Sequence, residues 1–221
     1  MKVCTDACVL GAWVAQKIDA GELSPNKILD IGSGTGLLSL MVAQKTSAEI
    51  TAVEINTEAY LQAKENIERS PWGDRITIHN KNILELDTLE KYDLIISNPP
   101  FYDNDLKSPD IARNEAMHSD GLSFAELVLS IKKNLAETGK AAILLPFHRV
   151  KDFSVALASK GLFIEELFQI AHSPTHKFFR AILLISFDQI NQINKELFIK
   201  DKTGSNSEEF TALLKDYYLK F

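Results

Sequence analysis

Lys27-Ile28-Leu29-Asp30-Ile31-Gly32-Ser33-Gly34-Thr35-Gly36-Leu37-Leu38-Ser39-Leu40 decides the fold. A short apolar strand runs into a loop with glycine at every second position. Leu37, Leu40 and Met41 then begin the apolar face of a helix. Alternating glycines let the backbone turn sharply and let a ligand come within contact distance. The helix start adds free N–H groups and a positive dipole end. A second strand, Glu49-Ile50-Thr51-Ala52-Val53-Glu54, places an acid 18 positions beyond Gly36. A carboxylate at that place accepts hydrogen bonds from a ribose diol. The spacing is Gly-x-Gly-x-Gly, not the Gly-x-Gly-x-x-Gly of dinucleotide folds. Asp30, just before the glycines, would repel a pyrophosphate. It suits a ligand bearing an ammonium or sulfonium, through ordered water or by orienting the loop. An NAD oxidoreductase is disfavoured on both grounds.

Working outward, helices are expected from Thr5-Asp6 through Ile18 and over 57–69, the second with Ala59, Ala63 and Ile67 on one stripe. Arg75 to His79 alternates as a strand that delivers Asn80-Lys81-Asn82-Ile83, and His79 reads as a structural residue. The apolar run Tyr92 to Ser97 reads as a buried strand ending in Asn98-Pro99-Pro100-Phe101. Two prolines cannot continue a ladder, and each holds the residue before it extended. The strand therefore stops at a stiff edge bearing an amide side chain, free carbonyls and an aromatic ring. In an open α/β sheet that edge is where ligands bind. A long polar segment, 102–122, follows.

Ser123 with Glu126 makes a capping box for a helix expected to end at Gly139. Ala141 to Leu145 is a buried strand and 150–160 a helix. Two more strands flank the hairpin His172-Ser173-Pro174-Thr175-His176-Lys177, which with Arg180 offers several positive groups and no acid. It reads first as a solvated turn and second as a nucleic-acid contact. Phe210, Leu213, Leu214, Tyr217 and Tyr218 form a last helical stripe.

Strands and helices alternate to about residue 165 and end in a strand pair. That pattern implies a mostly parallel sheet with an antiparallel last strand and helices on both faces. With 221 residues, 45% hydrophobic and 24% charged, the chain fits one large α/β domain. No apolar run approaches a membrane span of about 18 residues, and no leader peptide is read at Met1-Lys2-Val3-Cys4-Thr5-Asp6. Cys4 and Cys8 are the only cysteines. They read as packing residues in a reducing compartment rather than as metal ligands, and no metal is expected. A net charge of −6 disfavours avid, unspecific nucleic-acid binding and confines any RNA contact to a local basic patch.

Asp30, Gly32, Gly34, Gly36 and Glu54 together resemble motif I of the class I S-adenosylmethionine-dependent methyltransferases, a Rossmann-like fold with a seven-stranded sheet. The resemblance implies S-adenosylmethionine as cofactor and S-adenosylhomocysteine as product. It implies that Asn82 meets the adenine amino group, where Asp is commoner, and that Ile83 lies against the ring. It puts Thr5 near the methionine end. In that class Asn-Pro-Pro-Phe at this place marks methyl transfer to a planar nitrogen. The Asn98 oxygen and the Pro99 carbonyl grip its hydrogens, Pro100 stiffens the edge, Phe101 stacks on the flat substrate, and Asn98 also borders the cofactor.

Along nearly the whole chain the sequence resembles the bacterial methyltransferases of adenine-37 N6 in a valine tRNA. Met1 to Trp13, Asn98 to Tyr102, Arg113 to Phe124 and Glu209 to Leu219 carry the likeness. Cys4, Ala7 and Cys8 replace residues that are more often glycine there, and Met117 stands where arginine is common. Members usually carry a few tens of residues before this Met-Lys-Val, so a shortened start is expected. The resemblance implies a cytoplasmic, monomeric enzyme acting on tRNA, with Phe101, Arg113, His118, Lys177 and Arg180 on the RNA. Residues 1–221 are expected to form one methyltransferase domain, with a helical segment over 1–22 and an extension over 189–221 packed on it. The competing readings are transfer to a protein glutamine amide, transfer to guanine N2 of rRNA, and a cofactor-binding module without a substrate.

Overall fold

In the computed structural model, residues 4–99 and 122–218 are described; Pro100, Phe101, Arg113 and His118 lie outside them. Among the described residues eight strands form one sheet in the order β3-β2-β1-β4-β5-β7-β6-β8. They are β1 (Lys27–Ile31), β2 (Glu49–Glu54), β3 (Ile76–Asn80), β4 (Tyr92–Ser97), β5 (Leu135–Pro146), β6 (Phe163–Ala171), β7 (Phe178–Ser186) and β8 (Ile193–Phe198). β7 alone runs against its neighbours. The mostly parallel sheet with an antiparallel strand near its end is the expected one. The eighth strand is an addition: it pairs parallel with β6 at the outer edge. Ile193 to Glu196 are exposed and only Leu197 is buried, so β8 carries no clear alternation for the sequence to display.

The helices are α1 (Thr5–Asp19), α2 (Leu37–Ala43), α3 (Thr57–Glu68), α4 (Phe124–Asn134), α5 (Val150–Ala158) and α6 (Glu208–Leu214). Their starts follow from local chemistry. Asn56 accepts from Ala59 N at 2.9 Å to cap α3, Ser123 and Glu126 form the capping box of α4, and Ser207 accepts from Phe210 N at 3.0 Å to cap α6. One apolar layer joins α1, α2 and α6 to the sheet through Trp13, Met41, Ile96 and Phe210. The other joins α4 and α5 through Leu127, Ile131, Phe153 and Leu157. A Cβ on Gly11 would fall 2.6 Å from Met41 Sδ, so a side chain there would have to displace the Met41 thioether where α1 and α2 meet.

The helix before β5 ends earlier than its sequence suggests. It stops at Asn134 and the chain passes directly into β5, so Gly139 lies within the strand and is not a helix cap. The register shifts between Tyr92 and Leu94 opposite this stretch. A Cβ on Gly139 would stand 2.8 Å from the Tyr92 carbonyl oxygen, and this close backbone approach is what requires glycine.

Candidate active site

β1 and β4 are neighbours, and from them the strand order runs outward in opposite directions. In register, Ile31 lies beside Ser97, and Ser97 Oγ donates to the Ile31 carbonyl at 2.7 Å. The next residues are therefore adjacent: Gly32 begins the glycine loop and Asn98 begins the proline-bound edge. This is the topological switch point of the sheet, where open α/β folds hold their ligands. Asn98 is half-buried and Pro99 buried.

Gly32, Gly34 and Gly36 have φ of 69°, 57° and 80°, the left-handed region that favours glycine. Gly36 is the N-cap residue of α2, and a Cβ there would lie 3.5 Å from that of Ala63 on α3. Among the described residues, its chain neighbours aside, no atom stands within 4 Å of the place a Cβ on Gly32 would take, so they leave the backbone open on that side.

Two acids hold this loop. Glu54, 7% exposed, accepts from Gly34 N at 2.7 Å on one oxygen and from Asn56 N at 2.8 Å on the other. A carboxylate has about four lone-pair directions, so half remain for hydroxyl donors. Asp30 is fully buried, and its Oδ2 accepts from Ser39 Oγ at 2.6 Å and Ser39 N at 3.2 Å. One of the N–H groups at the start of α2 is thus taken up by the chain itself. Burial pushes the Asp30 carboxyl up to about 7; the Ser39 bonds oppose the rise and the charge of Glu54 adds to it. Among the described residues, Asp30 Oδ1 and Ser33 Oγ are buried without a hydrogen-bond partner. A carboxylate oxygen with no donor, beside a backbone opened by glycine, fits a cationic group better than an anionic one. The donor set suits a ligand with a diol and an ammonium or sulfonium.

Farther along the same edge, Asn82 Oδ1 accepts from Leu84 N at 3.0 Å, which leaves its second lone pair and its amide hydrogens for other partners. Ile83 is buried in the core. Ile55, directly after Glu54, is 57% exposed. Sequence reading passed over it. A large apolar residue placed just past a strand end, in Glu54-Ile55-Asn56, was the available signal. Asn80 fixes that turn by donating to the Glu54 and Ile55 carbonyls at 2.9 and 3.2 Å.

Thr5 opens α1, where the Tyr218 side chain is hydrogen-bonded to those of Thr5 and Cys8. The start of α1 is drawn to the sheet edge by Asp6, whose Oδ2 accepts from Arg180 Nε at 2.9 Å. Arg180 pairs with Pro146 at the end of β5. It therefore has a protein partner at the site, alongside any contact with RNA. Lys177 sits in the exposed hairpin between β6 and β7, also on this edge. Among the described residues no group of three or more His, Cys, Asp or Glu is arranged to hold a metal, and no helix is long and apolar enough to cross a membrane.

Residues 11–121 match the family model of the methyltransferase small domain. A tRNA1(Val) (adenine(37)-N6)-methyltransferase of Dyadobacter fermentans is 43% identical over 226 residues, covering all of this chain and 92% of that protein. One of the same description from Pseudoalteromonas translucida is 39% identical with the same coverage. The chain belongs to this methyltransferase family. Solved structures agree on the fold. A predicted O-methyltransferase of Agrobacterium tumefaciens superposes with a TM-score of 0.69 at 19% identity, over 96% of each chain. A ribosomal protein L11 methylase of Lactobacillus delbrueckii gives 0.56 at 18% identity, over 81% of this chain and 78% of that one. The family's methyl-transfer chemistry thus meets a switch point already built from a glycine loop and Asn98.

Proposed function

We propose that this chain methylates N6 of adenine 37 in tRNA1(Val), with S-adenosylmethionine as methyl donor. The observation that carries the reading is the register of Ile31 with Ser97, which sets the glycine loop beside Asn98. S-adenosylmethionine, when bound, supplies an electrophilic methyl on its sulfonium. Gly32, Gly34 and Gly36 would leave room for it, Glu54 would accept from its ribose hydroxyls, and the buried Asp30 would act on its charged end through ordered water or by orienting the loop. Asn82 meets the adenine edge while Ile55 and Ile83 give the ring an apolar surround. Thr5 borders the methionine portion.

The acceptor amine is a weak nucleophile because its lone pair is conjugated with the ring. Asn98 Oδ1 and the Pro99 carbonyl accept its two hydrogens, draw the nitrogen toward tetrahedral geometry and localise the lone pair. Asn98 carries this role while bordering the donor. Pro100 keeps the edge stiff and Phe101 stacks on the base, both by family motif. The amine forms its N–C bond as the S–C bond breaks, and the methylated nitrogen then sheds a proton to solvent. No strong base is needed. Alignment of nitrogen and methyl supplies much of the acceleration.

Lys177, Arg180, Arg113 and His118 contribute contacts to the RNA, and the enzyme acts as a monomer in the cytoplasm. The test is mass spectrometry of nucleosides from tRNA and rRNA, and of peptides from ribosomal protein, after each is incubated with the protein and S-adenosylmethionine. N6-methyladenosine in tRNA is the expected product. Methyl appearing instead on guanine N2 or on a glutamine amide would replace the reading.

A further inference from the structure

Besides Lys177, the β6–β7 hairpin carries His172, Ser173, Thr175 and His176, which the reaction leaves unused. His172 and Phe179 stack at its base, ring centroids 4.2 Å apart and planes within 4°. His172 is exposed and Phe179 half-buried, so the phenyl backs one side of the imidazole, the His176 ring stands edge-on to it at 6.2 Å, and the remaining surface meets solvent. At the tip, Ser173 Oγ lies 2.9 Å from Thr175 Oγ1 and 2.7 Å from His176 Nδ1. Thr175 N also donates to Ser173 Oγ at 3.4 Å, and His176 N donates to the Ser173 carbonyl at 3.0 Å. Where Thr175 donates to Ser173 and Ser173 donates to Nδ1, one of the two directions these distances accommodate, Nε2 is left to donate across the ring from the tip network.

Lys177 follows, exposed. Lys200 runs alongside, its N–H donating to the His172 carbonyl at 2.8 Å. Two acids that come to this edge beside Arg180 and Lys200 are engaged elsewhere: Asp6 with Arg180, and Asp201 with Thr203 and Ser205 in its own turn.

We propose that this hairpin docks unpaired nucleotides beside the target adenine. A neighbouring base of the anticodon loop stacks on His172, while His176 Nε2 and Lys177 Nζ hold an adjoining phosphate. The inference rests on the reaction proposed above. Base–aromatic stacking tolerates any base and needs one already splayed from its helix, which single-stranded loops supply and duplexes do not. The hairpin lies on the same sheet edge as Asn98, two strands beyond β5 at most. A chain of net charge −6 repels RNA at large, so a local, preformed grip is how it would select one loop.

The test is fluorescence anisotropy of the full chain with an unmodified tRNA1(Val) anticodon stem-loop and with the same stem as a loopless duplex. His172→Ala should weaken stem-loop binding about tenfold, toward the low end of a lost base–aromatic stack, and leave the duplex unchanged. His172→Phe should restore it. Lys177→Ala should lower the slope of log affinity against log salt by about one. Calorimetry with S-adenosylhomocysteine, unchanged in all three, reports an intact fold. Stem-loop binding by His172→Ala equal to wild type, or equal losses on stem-loop and duplex, overturns the proposal. If the wild type methylates tRNA while His172→Ala binds normally, the hairpin reading falls and the reaction stands. A wild type that neither methylates tRNA nor binds the stem-loop removes both.

Discussion

On the β1–β2 side of the sheet edge, Glu54 and Asp30 turn their oxygens onto the chain's own backbone and hold a loop in place. On the β6–β7 side, His172, His176 and Lys177 stand exposed on a hairpin braced by its own hydroxyls, by the Phe179 ring and by the Lys200 N–H on the His172 carbonyl. The first arrangement suits a small ligand of constant shape, because each donor and acceptor is set before the ligand arrives. The second suits a large polyanion met mostly through solvent-facing groups. Asn98 lies between them and belongs to neither arrangement. It is half-buried, and the proposed reaction has it face both ligands at once.

If that division is right, damage at the junction should abolish chemistry without touching cofactor affinity. Asn98→Ala should lower single-turnover methylation by about 100-fold or more, the scale of a lost transition-state hydrogen bond, with S-adenosylhomocysteine binding retained by calorimetry. Wild-type turnover would dissolve the junction as a distinct place.

Glu54→Ala should act on the other quantity. It leaves Gly34 N and Asn56 N without their acceptor, and hydrogen bonds to a charged group are worth about 1.5–3 kcal/mol. S-adenosylhomocysteine should bind about tenfold to a hundredfold more weakly. An unchanged dissociation constant would mean the loop holds itself.

Asp30 distinguishes the two sides by pH. Its carboxyl is raised by burial from 3.8 to about 7, so the folded chain binds more protons than the unfolded one between those values. Its contribution to stability is therefore fully present below 3.8 and is lost as pH rises through about 7. From pH 5 to 8 the melting temperature of the wild type should fall by about 4 °C or more relative to Asp30→Asn, each kcal/mol being worth about 2–4 °C in a chain of this size. Parallel profiles for the two proteins would refute the buried charge.

The smallest effect belongs to the Asp6–Arg180 pair. Its side chains are 21% and 37% exposed, so screening leaves the coupling under about 1 kcal/mol. A double-mutant cycle in urea measures it. A coupling well above that would make Arg180 a structural residue first and an RNA contact second.

The cofactor half was open to sequence reading because its constraints are local. Three left-handed backbones in five residues admit little but glycine, and the acid that closes the loop follows at a readable distance. What escaped depends on contacts that spacing does not encode. Ser39 became the partner of Asp30 only when the loop folded back, and Asp6 met Arg180 across 174 positions. β8 was half hidden: its end falls in the alternating stretch Leu197-Phe198-Ile199, but the four exposed residues before it show no alternation. Gly139 looked like a helix stop because the usual reason for such a glycine is a left-handed turn, whereas here the reason is the Tyr92 carbonyl on the neighbouring strand.

The Ser97–Ile31 hydrogen bond carries a consequence for accuracy. Donor and acceptor sites begin on adjacent strands, about 4.8 Å apart as in any sheet, and this bond ties the last rung between them. Since a misplacement of about 1 Å can cost about a hundredfold in rate, the sheet serves as a gauge with no moving parts. The tolerance of the reaction is then set by the stiffness of a strand ladder, and evolution can change what is held on either side without resetting the distance between them.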